Sequence, residues 1–161
     1  MEIYKATALD WESISQMAEQ SWRTGYAGIL AEEQIDFMLS RSYKEQGFEE
    51  ATQKGDTFFI LRDEGINVGF ITILPKGDLL RIEKLYLVPT GQGKGYGKQL
   101  INFAADKATE LGLPYLELNV NRGNTNAYNF YLKQGFVVTE TVDIPYFAYV
   151  LDDFVMQRKL A

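Results

Sequence analysis

The chain has 161 residues, a length that suits one domain built around a single hydrophobic core. Its formal net charge is −6 and no basic patch is visible, which argues against a nucleic-acid partner because phosphate neutralisation dominates that affinity. No apolar run approaches the roughly 20 residues that a membrane-spanning helix needs. The first residues lack the basic start and the apolar stretch of a signal peptide, so we expect a soluble, cytoplasmic protein with no membrane partner.

Two residue types are missing, because the sequence contains neither cysteine nor histidine. Disulfides, thiolate nucleophiles, Ser-His-Asp triads and metal sites built from Cys or His are therefore excluded. Only carboxylates are left to hold a metal, and no spacing of Asp and Glu resembles a calcium loop, so we expect no metal. Any catalysis must depend on carboxylates, Tyr, Lys, Arg, Ser, Thr or backbone groups.

The first third of the chain predicts a short strand followed by helices. Residues 2–8 have strand character, and Asp10 is placed to cap a helix that runs to about Trp22. Residues 23–28 break the helical period and predict a loop. Residues 31–46 return to a helical pattern, and a further short helix can follow before Gly55.

From residue 57 the period becomes that of β-strands. Residues 57–62, 68–74 and 79–88 predict an antiparallel meander with turns at 63–67 and 75–78.

A glycine-rich loop and a second helical region follow the meander. We expect a helix over about 96–111 with Leu100, Ala104, Ala108 and Leu111 on one stripe. A strand then begins at Pro114, a short helix covers 124–134 and ends at Gly135, and strands at 136–141 and about 147–160 close the chain. This order predicts a mixed sheet with helices packed on it.

The segment from Gln92 to Gly97 has the composition of a phosphate-binding loop. Glycines at alternate positions let the backbone approach a ligand and aim N–H groups into one concavity, and the following helix adds the positive end of its dipole. Lys94 and Lys98 add charge. The spacing is wrong for a Walker A loop, in which Gln99 would replace the hydroxyl residue, and for the Rossmann pattern. The alternative is a flexible solvent loop.

At this point the sequence resembles the GNAT superfamily of N-acetyltransferases. Leu85-Tyr86-Leu87-Val88-Pro89 followed by Gln92-Gly93-Lys94-Gly95-Tyr96-Gly97 is similar to the family's acetyl-CoA signature. Asn124-Thr125-Asn126-Ala127-Tyr128-Asn129-Phe130-Tyr131 and Gly135-Phe136 are similar to its second block. The resemblance implies an α/β (α+β) fold, with a mixed, mostly antiparallel central sheet of about seven strands flanked by about four helices. It also implies one acetyltransferase domain over residues 1–161 and acetyl-CoA as cosubstrate.

The family assigns roles to the matching positions. The strand before the loop splays from its neighbour, and the backbone of Leu85, Tyr86 and Leu87 would pair with the pantetheine arm. The loop residues would hold the pyrophosphate; they are Gln92, Gly93, Lys94, Gly95, Tyr96, Gly97 and Lys98. Asn124 would contact the cofactor, or it caps a helix, and the two readings are compatible.

Tyr131 corresponds to the family's general acid, which would meet the CoA thiolate. A phenol beside the sulfur can donate a hydrogen bond or a proton as the thiol leaves. The alternative is a core aromatic. Because adjacent helix residues point in different directions, Phe130 can lie in the core while Tyr131 faces the site.

Glu83 is the best candidate for the base. An alkyl amine with a pKa of about 10.4 is almost wholly protonated at pH 7, so its attack on a thioester needs a proton acceptor. Strand alternation would place Glu83 on one face with Leu85 and Leu87. An ordinary Glu would need a raised pKa or a water relay, and the alternative is a surface residue paired with Arg81 or Lys84.

The resemblance places the acceptor site at residues 22–28 and 146–154. Trp22 and Tyr26 would form an apolar or cation-binding wall, and Asp153, with Asp152, would attract an amine. The alternative for at least one of the two carboxylates is a solvated turn between strands. The C-terminal segment resembles members that acetylate polyamines or other small amines. A protein N-terminus, an amino acid or an aminoglycoside stays open as the acceptor, as does a module that senses CoA without catalysis. Family members are often dimers, so a homodimer is left open as well.

Overall fold

The computed structural model describes residues 1–160 and contains seven strands and five α-helices within them. The strands are β1 Glu2–Lys5, β2 Thr57–Asp63, β3 Ile66–Lys76, β4 Leu79–Leu87, β5 Tyr115–Asn121, β6 Val137–Tyr146 and β7 Tyr149–Lys159. The helices are α1 Trp11–Gly25, α2 Glu32–Ser42, α3 Glu45–Lys54, α4 Tyr96–Glu110 and α5 Thr125–Lys133. The additional short helix expected before Gly55 is α3.

All seven strands belong to one sheet with the order β1-β2-β3-β4-β5-β7-β6. The pair β4–β5 is parallel, whereas β1–β2, β2–β3, β5–β7 and β6–β7 are antiparallel. The prediction of a mixed, mostly antiparallel sheet is confirmed. None of the helices in residues 1–160 combines the length and the apolar character required to cross a bilayer.

The chain groups into two compact units that share β4 and α4. The first contains Met1–Leu74 and Glu83–Leu100, and the second contains Pro75–Ile82 and the chain from Ile101 onward. The prediction of one domain over the whole chain stays a prediction.

The core of the first unit lies between α1 and the strands. Ile14, Met17, Ala18 and Trp22 are all buried, as their helical spacing predicts. In β3, the neighbouring Phe70 and Ile71 are both fully buried, so this part of the sheet is covered on both faces.

The core of the second unit follows the predicted alternation. Leu116, Leu118 and Val120 of β5 are buried, as are Ala104 and Ala108 of α4. The prediction that Leu111 continues this stripe is wrong, because α4 ends at Glu110 and Leu111 is 56% exposed. Gly135 has a φ of 91°, which confirms the left-handed end predicted for the short helix.

Two local predictions differ from the structure near the first helix. Asp10 precedes α1 but makes no side-chain capping bond to it; its carboxylate accepts the Thr7 N–H over 2.8 Å, since Thr7 and Asp10 form a capping box around a preceding 3₁₀ turn. The helix also continues to Gly25, beyond the predicted end at Trp22.

The turn between β2 and β3 is shorter than the five residues predicted for it, 63–67. Only Glu64 and Gly65 separate the two strands, with φ angles of 51° and 76°. Positive φ at both positions is typical of a type I′ turn, whose twist matches that of the flanking strands.

Candidate active site

The glycine-rich segment forms an exposed turn directly before a helix. Pro89–Gly91 make one turn of 3₁₀ helix, and α4 begins at Tyr96. Gly93 and Gly95 have φ angles of 79° and 80°, in the left-handed region that residues with a Cβ rarely adopt. A Cβ built on either glycine meets nothing within 4 Å in the described chain. Backbone conformation, and not crowding, therefore requires these glycines.

This geometry fits an anion such as a pyrophosphate. Successive N–H groups in a turn with left-handed residues converge on one concavity, and the N-terminus of α4 contributes partial positive charge. Gln92, Lys94 and Lys98 are exposed, so the two ammonium groups are open to solvent next to the loop. The assignment of the loop to a pyrophosphate stays a prediction.

Tyr96 differs from the rest of the loop because its side chain is buried. It is 8% exposed, and its hydroxyl donates a hydrogen bond to Asp63 Oδ2 over 2.5 Å. This bond raises the pKa of Tyr96. Since the phenol is engaged inside the protein, any contact of Tyr96 with a ligand in the loop comes from its backbone.

The end of β4 is held against β3 along one edge. The Val88 N–H donates to Val68 O over 2.9 Å. At Gly69 of β3, an added Cβ would lie 2.8 Å from Tyr86 O and 2.6 Å from Leu87 Cδ2. Only glycine therefore allows β3 to approach β4 this closely.

The opposite edge of β4 is suited to strand addition. Backbone groups of alternate residues point to opposite edges, so those of Leu85 and Leu87 point away from β3. The pairs of β4 with β5 run from Leu79–Tyr115 to Ile82–Leu118, and β4 continues beyond them to Leu87. An extended ligand arm can pair with this stretch as an added strand.

Glu83 is half-buried on β4 and interacts electrostatically with Lys84 and Asp56. The Lys84 ammonium lies 5.8 Å from the centre of the Tyr43 ring and 5.7 Å from that of Phe58. Burial lowers the pKa of Lys84, while the charges of Asp56 and Glu83 act in the opposite direction. The electrostatic interaction of Glu83 with Lys84 supports the predicted alternative, in which Glu83 is paired with Lys84. The role of Glu83 as a base stays a prediction.

Asp56 is a buried carboxylate that the sequence did not single out. Its side chain is fully buried, and Lys54 Nζ is 3.8 Å away, too far for a hydrogen bond. Neither oxygen has a hydrogen-bond partner among the described residues. Burial raises the pKa of Asp56.

Trp22 lies within an aromatic cluster of the first unit. Its ring centre is 4.6 Å from that of Tyr26, 5.9 Å from Tyr43 and 5.8 Å from Tyr86. Trp22 is 6% exposed, whereas Tyr26 is half-buried. The two predicted wall residues are therefore together. Tyr43 and Tyr86 join them. Tyr43 has the spacing of an ordinary core residue and was not predicted, whereas Tyr86 was predicted only for its backbone.

Asn124 and Tyr131 occupy the two ends of α5. The Asn124 side chain accepts the Ala127 N–H over 3.2 Å, so the capping role is confirmed, and its contact with a cofactor stays a prediction. Tyr131 is buried with edge contacts to Phe130 and Phe136, at 5.3 and 5.8 Å between ring centres. Phe130 is half-buried, so the core position expected for it belongs instead to Tyr131.

Asp153 lies on β7 in a polar network of the second unit. Its Oδ2 accepts a hydrogen bond from Asn119 Nδ2 over 3.2 Å, and Asn119 Oδ1 accepts from Arg81 over 3.0 Å. Arg81 also forms an ion pair of 2.7 Å with Glu117. Burial raises the pKa of Asp153, whereas the hydrogen bond from Asn119 acts to lower it.

Arg81, Glu117 and Asn119 belong to this network with Asp153 and were not predicted from the sequence. Glu117 and Asn119 occupy the polar positions of a strand whose alternate positions are apolar, and that alternation was the available signal. Across residues 1–160, no cluster of three or more acidic side chains is arranged to hold a metal.

Comparison with known proteins gives the chain its family. The model of the acetyltransferase (GNAT) family matches residues 11–136, a range that contains both signature blocks. A spermidine N(1)-acetyltransferase of Thermoplasma acidophilum is 32% identical over 99% of this chain and 97% of its own length. A peptidyl-lysine N-acetyltransferase of Salmonella typhimurium is 36% identical over 48% of this chain and 47% of its own length.

A solved structure agrees with these sequence matches. The crystal structure of PaiA N-acetyltransferase from Thermoplasma acidophilum in complex with coenzyme A has a TM-score of 0.86 and 29% identity, covering 99% of this chain and 98% of that one. The family model spans most of the chain, and the fold agrees from end to end. The chain therefore belongs to the GNAT family and is an N-acetyltransferase.

Proposed function

We propose that the protein transfers the acetyl group of acetyl-CoA directly to a primary amine, and that the acceptor is a small cationic amine of the polyamine class. The observation that carries the donor side is the loop with left-handed Gly93 and Gly95 ahead of α4. It supplies the backbone cradle that a pyrophosphate needs. The Thermoplasma structure contains coenzyme A, which supports this choice of donor.

The donor would be held mainly by backbone groups. Leu85 and Leu87 would pair with the pantetheine arm along the edge of β4 that points away from β3. Residues 92–98 would bind the pyrophosphate, with Lys94 and Lys98 adding charge. Asn124 would contact the cofactor while it caps α5.

The chemistry needs one proton acceptor and one proton donor. The neutral amine nitrogen attacks the thioester carbonyl carbon, and the carbon–sulfur bond then breaks. Glu83 would accept the amine's proton directly or through water, and Tyr131 would give a proton to the departing thiolate. No acyl-enzyme on cysteine can form, because the chain has no cysteine.

Asp153 supports a cationic acceptor. Its carboxylate is half-buried, its pKa is raised by burial, and a neutral amide donates a hydrogen bond to it. A positively charged partner favours the ionised form of a partly desolvated carboxylate. In the first unit, the half-buried ring of Tyr26 beside Trp22 would form an apolar or cation-binding wall. A relative at 32% identity acts on spermidine, according to its name.

An amine panel tests the acceptor. Initial rates of thiol release are compared for spermidine, spermine, putrescine, free amino acids, peptides with free N-termini or lysines, and aminoglycosides. The highest kcat/KM is expected for a polyamine. Asp153→Asn should raise the KM for that polyamine by about tenfold, which corresponds to about 1.4 kcal/mol, and leave the KM for acetyl-CoA unchanged.

The matched control is Asp143→Asn, which removes an exposed carboxylate that pairs with Arg122 in the same unit. Its KM for the amine should equal that of the wild type. A panel led by peptides or amino acids, or equal effects of the two Asp variants, would overturn the polyamine assignment.

A further inference from the structure

A hydrogen bond from Tyr96, within the signature block, to a residue outside that block holds the start of α4. Tyr96, the first residue of that helix, is buried, and its hydroxyl donates to the carboxylate of Asp63 over 2.5 Å. Asp63 ends β2 and lies 33 positions earlier in the chain. We propose that Asp63 is a positioning residue for cofactor binding, which acts through Tyr96 on the pyrophosphate loop. This inference rests on the proposed function of the loop.

The Tyr96 ring connects the two ends of the loop. Gly91, which precedes the loop, is buried, and a Cβ placed on it would lie 3.4 Å from Tyr96 Cδ2 and 3.4 Å from Val68 O. The ring thus lies beside Gly91, which precedes the segment 92–95, while Tyr96 itself directly follows that segment. Fixing the ring therefore fixes both ends of the segment 92–95.

The segment between these ends needs such a support. Residues 92–95 are exposed, and Gly93 and Gly95 have the most permissive backbones of any residue type. A loop with this freedom loses much conformational entropy when its N–H groups converge on a ligand. Ends that are already fixed reduce that loss, and binding is correspondingly tighter.

Asp63 is suited to this role by its place and its charge. It stands at the end of a strand, immediately before the two-residue turn of Glu64 and Gly65, so its backbone is held by the hairpin. An ionised acceptor makes a shorter and stronger bond than a neutral one. The bond raises the pKa of Tyr96, so the phenol keeps the proton that it donates.

The test separates the pyrophosphate end of the donor from its reacting end. The Kd of CoA is measured by calorimetry for Tyr96→Phe, Asp63→Ala and Asp63→Asn. In parallel, kcat/KM is measured with acetyl-CoA and with acetyl-pantetheine, which lacks the pyrophosphate. Tyr96→Phe and Asp63→Ala should raise the Kd by about three- to tenfold. Asp63→Asn keeps an acceptor oxygen, so its Kd for CoA should rise less than that of Asp63→Ala. The kcat/KM for acetyl-pantetheine, which lacks the pyrophosphate, should not change.

Tyr4→Phe is the matched control. The Tyr4 hydroxyl accepts a hydrogen bond from Arg62 over 2.9 Å in the same unit, so this variant loses a comparable bond far from the loop in sequence. Its Kd for CoA should equal that of the wild type.

Failure of the positioning role and failure of the proposed loop function give different results. An unchanged Kd in both Tyr96→Phe and Asp63→Ala would overturn the positioning role. Equal losses with acetyl-CoA and acetyl-pantetheine would also overturn it, because they indicate a general structural defect. If instead the wild type does not bind CoA, or Gly95→Ala binds it equally well, the proposed function of the loop fails.

Discussion

Tyr131 can be tested by the removal of a single oxygen atom. Tyr131→Phe should lower kcat about 100-fold, the scale of a general acid's contribution, because the leaving thiolate loses its proton donor. The Kd for acetyl-CoA should stay near that of the wild type, since the ring keeps its contacts with Phe130 and Phe136. Steady-state thiol release and calorimetry measure the two quantities.

Tyr128→Phe provides the comparison on the same helix. Its ring is 5.3 Å from that of Phe154, and no catalytic role is assigned to it. Turnover should be retained in this variant. Full turnover of Tyr131→Phe across the pH range would contradict the acid role.

The role of Glu83 as a base can be tested by the pH dependence of kcat/KM. Glu83→Gln should depress kcat/KM about 100-fold near pH 7, where the acceptor amine is protonated and needs a base. The deficit should shrink as the pH approaches about 10.4, because the amine then loses its proton unaided. Glu110→Gln, at the exposed end of α4, is the control and should follow the wild type. Superimposable profiles for Glu83→Gln and wild type would remove Glu83 as the base.

At the scale of elements, periodicity and glycine positions predicted most of the fold. The alternation of Leu116, Leu118 and Val120 identified β5, and the change of period after Gly55 located the meander. Boundaries were less accurate where local hydrogen bonds decide them. Asp10 bonds to Thr7 and not to α1, and Gly112, in the left-handed conformation, follows the end of α4 and leaves Leu111 exposed.

The candidate site was only partly readable from the sequence, for a physical reason. The loop glycines and the capping role of Asn124 depend on local backbone geometry, which a short motif records. Hydrogen bonds between side chains that are distant in the sequence are not encoded in any short motif. The bond from Tyr96 to Asp63 and that from Asn119 to Asp153 join residues 33 and 34 positions apart, and only the folded chain brings them together.

At the scale of the whole molecule, Asp56 links stability to pH. Burial raises its pKa above the ordinary value of 3.8, so the folded protein takes up this proton at a higher pH than the unfolded chain does. Between the two pKa values the folded state carries more protons, and the contribution of Asp56 to the free energy of unfolding therefore increases as the pH falls. Asp56→Asn lacks this contribution.

Urea unfolding from pH 7 to pH 4 measures the effect. The stability difference, wild type minus Asp56→Asn, should grow in favour of the wild type as the pH falls. Lys84→Met should extend this trend to higher pH, because the charge of Lys84 lowers the pKa of Asp56. A stability difference that stays constant, or that shrinks as the pH is lowered, would contradict the raised pKa of Asp56.

Labelled acetyl-CoA distinguishes direct transfer of the acetyl group to a small amine from thioester hydrolysis and from an acylated protein. The wild-type protein is incubated with spermidine and acetyl-CoA labelled in the acetyl group, and free thiol, acetylated amine and labelled protein are quantified together. The expected result is equal amounts of free CoA and N-acetylated spermidine, with no labelled protein when the amine is omitted. Thiol release without acetylated amine, or label retained on the protein, would contradict the claim.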